Sequence, residues 1–221
     1  MAASINPSIL SADFVNFETE FESISDCDQV HVDVMDNHFV PNLTFGLQMV
    51  SSMQRITPKP LDVHLMITDV DRYAADYAKT GAHSVTVHFE ACTDAVATAQ
   101  SLHANGSKAG LAIKPDTSLE SILPIIQHFD RLLIMTVEPG FGGQLLIEET
   151  LGKVAAAKAH FDLHDLEINL QVDGGITAEN IGRVAALGAD SFVAGSAVFK
   201  ASDRNLEIAK LRELASKHRH K

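Results

Sequence analysis

Along VHVDVM, apolar and polar residues alternate strictly, so Val30, Val32 and Val34 share one face and His31, Asp33 and Met35 the other. The same period returns in LDVHLM, where Leu61, Val63 and Leu65 oppose Asp62, His64 and Met66. It returns again in EINLQVDGG, where Ile168, Leu170 and Val172 oppose Glu167, Asn169, Gln171 and Asp173, and HSVTVHF adds Ser84, Thr86 and His88 on one parity. INPSIL is a short apolar opening segment, and KAGLAI, RLLIMTV and SFVAG read as further strands. Segments of helical character lie between them. SADFVNFETEFESI is predicted as a helix capped by Ser11 or Asp13, burying Phe14, Phe17, Phe21 and Ile24. LQMVSSMQRI must stop near Pro58, DRYAADYAKTGA ends on a glycine, and DAVATAQSLHANG follows the next strand. SLESILPIIQHF is predicted helical despite Pro124, followed by IEETLGKVAAAKAHF, AENIGRVAALGA and the closing NLEIAKLRELASKH.

A doubly wound open sheet shows the same alternation, typically with fewer strands. Eight strand–helix units with short connections favour an α/β fold of the (β/α)8 TIM-barrel type, as one domain over residues 1–221 with no linker composition to divide it.

Composition narrows the partners. At 46% hydrophobic and 21% charged residues, the 221-residue chain reads as an ordinary globule with a sizeable core. A formal net charge of −12 argues against nucleic acid or an anionic membrane as partner, yet allows a small anion held by helix N-termini. Cys27 and Cys92 make no disulfide framework and suit a reducing, cytoplasmic setting. MAASINPSIL lacks the features of a signal peptide, no stretch reaches transmembrane length, and RELASKHRHK reads as a basic helix end.

Barrel strands are covered by helices outside and packed side chains inside, so the polar parity of VHVDVM, LDVHLM and EINLQVDGG is anomalous. Buried polar groups are costly unless paired or coordinated. His31, Asp33, His64 and Asp173 lie at or near the C-terminal strand ends, the catalytic mouth of a barrel. Two imidazoles and two carboxylates there suit zinc, iron, manganese or cobalt; a metal-free hydrogen-bonded network would use the same residues. Met35, Met66 and Met135 fall near strand ends as core filler or, around a metal, as a water-poor wall. Glycine-bearing loops follow the last three strands: EPGFGGQ with Gly140, Phe141, Gly142 and Gly143, DGGIT with Gly174 and Gly175, and AGSAVF with Gly195 and Ser196. Backbone N–H groups in such loops commonly hold phosphate, which points to Gly175, Gly195 and Ser196, with Gly143 reaching over from a loop able to close as a lid. Lys114 reads as an exposed residue at a loop start that could sit near the mouth.

At these residues the chain resembles the ribulose-phosphate 3-epimerase family, from PSILSADF through HVDVMDNHFVPN, LDVHLM, TVEPGFGGQ and VDGGI to VAGSAVF. The resemblance implies a barrel of the ribulose-phosphate-binding type that interconverts D-ribulose 5-phosphate and D-xylulose 5-phosphate in the pentose phosphate pathway. It implies one divalent metal on His31, Asp33, His64 and Asp173, with Asp33 and Asp173 as paired proton donor and acceptor around a cis-enediolate. It further implies substrate contacts from Ser8, His64, Asp173 and the three methionines, phosphate contacts from the glycine loops, and a homo-oligomer, dimeric or hexameric. Asp36 is expected to orient a ligand from outside the coordination shell. Two departures stand out: Asn37 replaces the glycine usual after Met-Asp, and Lys114 replaces an asparagine before proline. Asn37 tolerates a left-handed turn. Three rivals share the scaffold. An epimerase for D-allulose 6-phosphate would use the same chemistry. A decarboxylase or aldol-type synthase would need a strand lysine where histidines stand. A non-enzymatic phosphosugar-binding barrel would not need both carboxylates.

Overall fold

The computed structural model describes residues 3–218; the last three residues of the basic tail, 219–221, lie outside them. Eight parallel strands form one sheet: β1 Ser4–Asn6, β2 Val30–Met35, β3 Leu61–Met66, β4 Ser84–His88, β5 Lys108–Ile113, β6 Arg131–Met135, β7 Asn169–Asp173 and β8 Ser191–Val193. Each strand pairs with the next in sequence from β2 to β8, and β8 returns to β1. A single bridge, Ser8 to His31, draws β1 towards β2, so the barrel is nearly closed. The helices are α1 Phe17–Ser23, α2 Leu47–Ile56, α3 Val70–Ala78, α4 Ala95–Ala104, α5 Leu151–Leu163, α6 Ile181–Ala186, α7 Ser196–Phe199 and α8 Arg204–His218. This is the (β/α)8 barrel that the alternation predicts.

Two helical expectations fail for identifiable reasons. SLESILPIIQHF forms only two short 3-10 turns, Leu119–Ser121 and Ile126–His128. Pro124 lacks the N–H for a helical bond and its ring blocks the preceding turn, which outweighs the apolar content around it. At the N-terminus α1 starts at Phe17, later than the pattern suggests, with Asn16 at its cap rather than Ser11 or Asp13. Asp13 instead accepts from the Val15 N–H and the Asn16 side-chain amide, a local turn that competes with helix. Phe14 therefore stands partly exposed, edge-on to Phe45 at 4.7 Å, while Phe17, Phe21 and Ile24 are buried as expected.

Outward-facing strand residues such as Val32, Val63, Val85, Leu170 and Phe192 join helix residues in one continuous hydrophobic shell. The barrel interior differs. Near the mouth it holds two small apolar groups, Met35 with Val40 and Met66, and Met135 with Ala112, Leu133 and Val137. Below them the inward parity is polar, and His31, Asp62, His64, Ser84, Thr86, His88, Arg131 and Gln171 are all buried. Glu167, assigned to the inward face of its strand, lies before β7 begins and is exposed.

The excursion after β2 is fixed by Asp36. Its carboxylate accepts from the backbone N–H groups of His38, Phe39 and Thr68 and from the Thr68 hydroxyl. Asp36 thus secures two loops and touches none of the candidate ligands, which corrects the expected orienting role. Asn37 sits in the left-handed region at φ 60°, where a β-branched or alanine side chain is disfavoured. Burial pulls the Asp36 carboxyl up, but the donors from Thr68, Phe39 and His38 prevail and hold it down to about 2. Its share of stability is complete above about pH 4 and is lost as the pH falls through the lowered value. We expect Asp36→Ala to cost about 1–3 kcal/mol, measurable as a lower denaturation midpoint at pH 7. Asn37→Ala should cost about 1 kcal/mol, and Asn37→Gly much less.

Candidate active site and metal centre

The two inward histidines and two carboxylates meet at one point. His31 and Asp33 come from β2, His64 from β3 and Asp173 from the end of β7, and one ligand atom of each lies within 4.8 Å of the others. Parallel register makes this possible: Asp33 pairs with His64 across the β2–β3 ladder, and Met35 with Met66 one step above. Asp33 Oδ1 is 3.4 Å from both His31 Nε2 and His64 Nδ1, and Asp173 Oδ2 is 3.6 and 3.8 Å from the same nitrogens. Neither His31 Nε2 nor His64 Nδ1 has a hydrogen-bond partner, although both atoms are buried. An unpartnered imidazole nitrogen in a dry site is costly, and a cation between these four groups would answer both. The donor set fits one divalent ion.

His31 and Asp33 are braced from behind. Asp62 Oδ2 lies 2.9 Å from His31 Nδ1, so Nε2 is left facing the site. Asp62 itself is saturated: it also accepts from Gln171 at 2.8 Å, Ser84 at 2.8 Å and the buried Arg131 guanidinium. Ser8 donates its hydroxyl to Asp33 Oδ2 at 2.5 Å, leaving Oδ1 for the cluster. Thr44 donates to the Asp33 carbonyl and accepts from the Met35 N–H, tying the loop after β2 to the strand end.

The surrounding charges divide the two site carboxylates. Burial alone would raise Asp33, but the charge on nearby His31, with His64 beside it, outweighs it and holds Asp33 far below the usual range. Burial pushes Asp173 up to about 6; the charges of Asp33 and Asp62 add to this, against His31 and His64. Burial opposes a charge on His31, yet the carboxylates of Asp33 and Asp62 together draw it well above its ordinary value. His88, fully buried behind His64, is pushed down to about 4 chiefly by burial.

A cavity of about 190 Å³ opens over this floor. Its wall includes Ser8, Asp33, Met35, Met66, Met135 and Asp173, with Gly140, Phe141, Gly142, Gly143, Gly174, Gly175, Gly195 and Ser196 around the rim. The predicted residues are therefore brought together, with His31 and His64 beneath the cavity floor rather than on its surface. Gly174 and Gly175 are required where they stand: a Cβ at Gly174 would lie 2.9 Å from Val137 N, and one at Gly175 only 2.4 Å from Leu146 N. The Asn42 side-chain amide donates to the Gly140 carbonyl at 2.8 Å, joining the loops after β2 and β6. Lys114 is half-buried rather than exposed, its ammonium 3.9 Å above the Phe39 ring. The bracing residues Asp62, His88, Glu90 and Arg131 were not singled out by the sequence reading. Parity put Asp62 and His88 inward, but nothing in sequence says which inward residues touch a ligand.

Comparison with known proteins accords with this geometry. A profile of the ribulose-phosphate 3 epimerase family matches residues 4–199. The chain is 49% identical over 211 residues to a ribulose-phosphate 3-epimerase of Mycobacterium tuberculosis, covering 96% of this chain and 92% of that protein. It is 43% identical over 219 residues to the Escherichia coli enzyme of the same name, covering 98% and 97%. Among solved structures, a 3-keto-L-gulonate-6-phosphate decarboxylase from Vibrio cholerae superposes with a TM-score of 0.75 at 18% identity over 99% of each chain, a likeness of fold alone. No helix among the described residues is long and apolar enough to cross a membrane.

The flanking carboxylates draw His31 toward its protonated form in the metal-free site, so binding of a divalent cation is expected to release protons. Titrating chelator-treated protein with Co2+ in two buffers of different ionisation enthalpy is expected to show proton release. Affinity should weaken as the pH is lowered from about 8 to about 6.

Proposed function

The chain belongs to the ribulose-phosphate 3-epimerase family, and on that premise we propose that it interconverts D-ribulose 5-phosphate and D-xylulose 5-phosphate by inverting carbon 3, with Asp33 and Asp173 exchanging protons on opposite faces. One observation carries the reading: two carboxylates from separate strands meet on one cavity floor beside two buried imidazoles, and the charges around them favour ionisation of Asp33 and neutrality of Asp173. Asp33, held ionised, is the group that removes the C3 proton. Asp173, raised toward neutrality, is the group that delivers one from the other side, and the reverse reaction exchanges the roles. A hydrogen bond from Ser8 aims Asp33.

Deprotonation beside a ketone leaves a cis-enediolate, whose negative charge needs an answer in a dry site. A divalent ion held by His31, Asp33, His64 and Asp173 supplies that charge. Met35, Met66 and Met135 exclude water from the reacting carbons. At the far end of the cavity, the Gly175 loop and the first N–H groups of α7 from Gly195 and Ser196 bind the phosphate, since a helix's opening N–H groups have no partner within it. The strap of Gly140, Phe141, Gly142 and Gly143 covers the substrate. Anchoring by phosphate turns binding energy remote from C3 into orientation between the two carboxylates.

Asp33→Asn and Asp173→Asn should each lower kcat by about 10²–10⁴-fold while leaving substrate affinity nearly unchanged. In D2O the wild-type product should carry solvent deuterium at C3; full turnover in either variant would sink the two-carboxylate assignment. Gly175→Ala should raise KM about tenfold by forcing the phosphate loop off Leu146. Parallel kinetics with D-allulose 6-phosphate test the choice of pentulose over hexulose phosphate.

A further inference from the structure

We propose that His88 and Glu90 form a positioning relay that fixes the tautomer and ring orientation of His64, so that Nδ1 offers a lone pair to the cation; the proposal rests on reading His64 as a ligand. His64 Nε2 and His88 Nε2 are 2.9 Å apart, and both side chains are buried. At that distance one ring donates and the other accepts. On its far side, His88 Nδ1 lies 3.1 Å from Glu90 Oε2. If a neutral His88 donated from Nε2, its Nδ1 lone pair would face a carboxylate oxygen, and His64 would carry its proton on the nitrogen that points at Asp33 and Asp173. An imidazolium at His88 would put a charge in a ring with no exposure. The remaining arrangement leaves unpartnered only the nitrogen that faces the cation: His64 Nε2–H donates to His88, His88 Nδ1–H donates to Glu90, and His64 Nδ1 stays free.

Glu90 is pinned for this task. Its other oxygen accepts from the Lys114 N–H at 2.7 Å and from the Thr117 hydroxyl, which fastens the relay to the loop after β5. Two rings adjoin His88, with His64 at a centroid distance of 5.0 Å and Phe39 at 4.9 Å. The two histidine ligands are thus set by opposite devices. His31 is oriented through Nδ1 by an ionised carboxylate and presents Nε2, whereas His64 is oriented through Nε2 by a second imidazole and presents Nδ1.

The test uses full-length protein freed of metal by chelation and titrated with Co2+. His88→Leu, which removes the acceptor, should weaken Co2+ binding about 10–100-fold. His88→Gln, whose amide oxygen can still accept from His64, should recover most of that loss, and Glu90→Gln should fall between. Nitrogen-15 NMR of the metal-free wild type should show His64 with its proton on Nε2. In folded His88→Leu this tautomer should give way to a mixture. Wild-type affinity in folded His88→Leu, no recovery in His88→Gln, or a His64 proton on Nδ1 would overturn the relay. Should His88→Leu not fold, the wild-type tautomer and the Glu90→Gln affinity decide the matter. His64→Ala separates the premises: unchanged Co2+ binding there removes His64 as a ligand, whereas lost binding there with intact binding in His88→Leu removes the relay alone.

Discussion

A full negative charge sits inside this barrel on Asp62, and the interior is arranged to answer it. The carboxylate has no exposure and accepts from His31, Ser84, Arg131 and Gln171, which come from four different strands. Arg131 in turn donates to Gln29 and Asn169. Removing one partner of such a buried pair costs about 3–5 kcal/mol, because the other charge is left stranded. The same carboxylate orients His31, so the group that ties the lower barrel together also aims a ligand in the upper barrel.

This dual use explains why the interior departs from the branched apolar layers common in barrels. Parallel register stacks the polar levels: His31 beside Asp62, then Asp33 beside His64, then Met35 beside Met66. The lower level is a hydrogen-bonded brace, the middle level holds Asp33 and His64 of the cluster, and the upper level is an apolar collar. Glycine-bearing loops form the rim of the cavity above these levels. The groups whose positions matter to a fraction of an ångström stand on strands, which move least.

Much of this was legible as parity. Period-two alternation placed His31, Asp33, His64 and Asp173 inward before any family resemblance entered, and the structure brings all four together. Parity says which face a side chain takes but not what it meets across the barrel. Arg131 opens a nearly apolar strand, yet its guanidinium turns inward to Asp62, three strands away in sequence order. Asp36 adjoins the ligand strand and was read as a ligand support, but its neighbours are loop N–H groups that sequence distance conceals. Pro124 shows the converse failure, in which a helical composition was trusted over one missing donor. Asn37 takes the left-handed backbone that a glycine would, as the tolerance of asparagine for that region allows.

The seam between β1 and β2 also bears on how the molecule comes into being. β1 gains its ladder only from β8, at the other end of the chain, while Ser8 just beyond it supplies the bond that aims Asp33. Asp173 likewise arrives only with the seventh strand. During synthesis the first three ligands emerge early and must wait, among half-formed strands, for partners nearly a whole chain away; such distant pairings form slowly. Completion of the His/Asp cluster therefore waits for the seventh strand, shortly before the barrel closes through β8 and β1. A chain that ends before the seventh strand would hold two histidines and an aspartate without the carboxylate that completes their cluster.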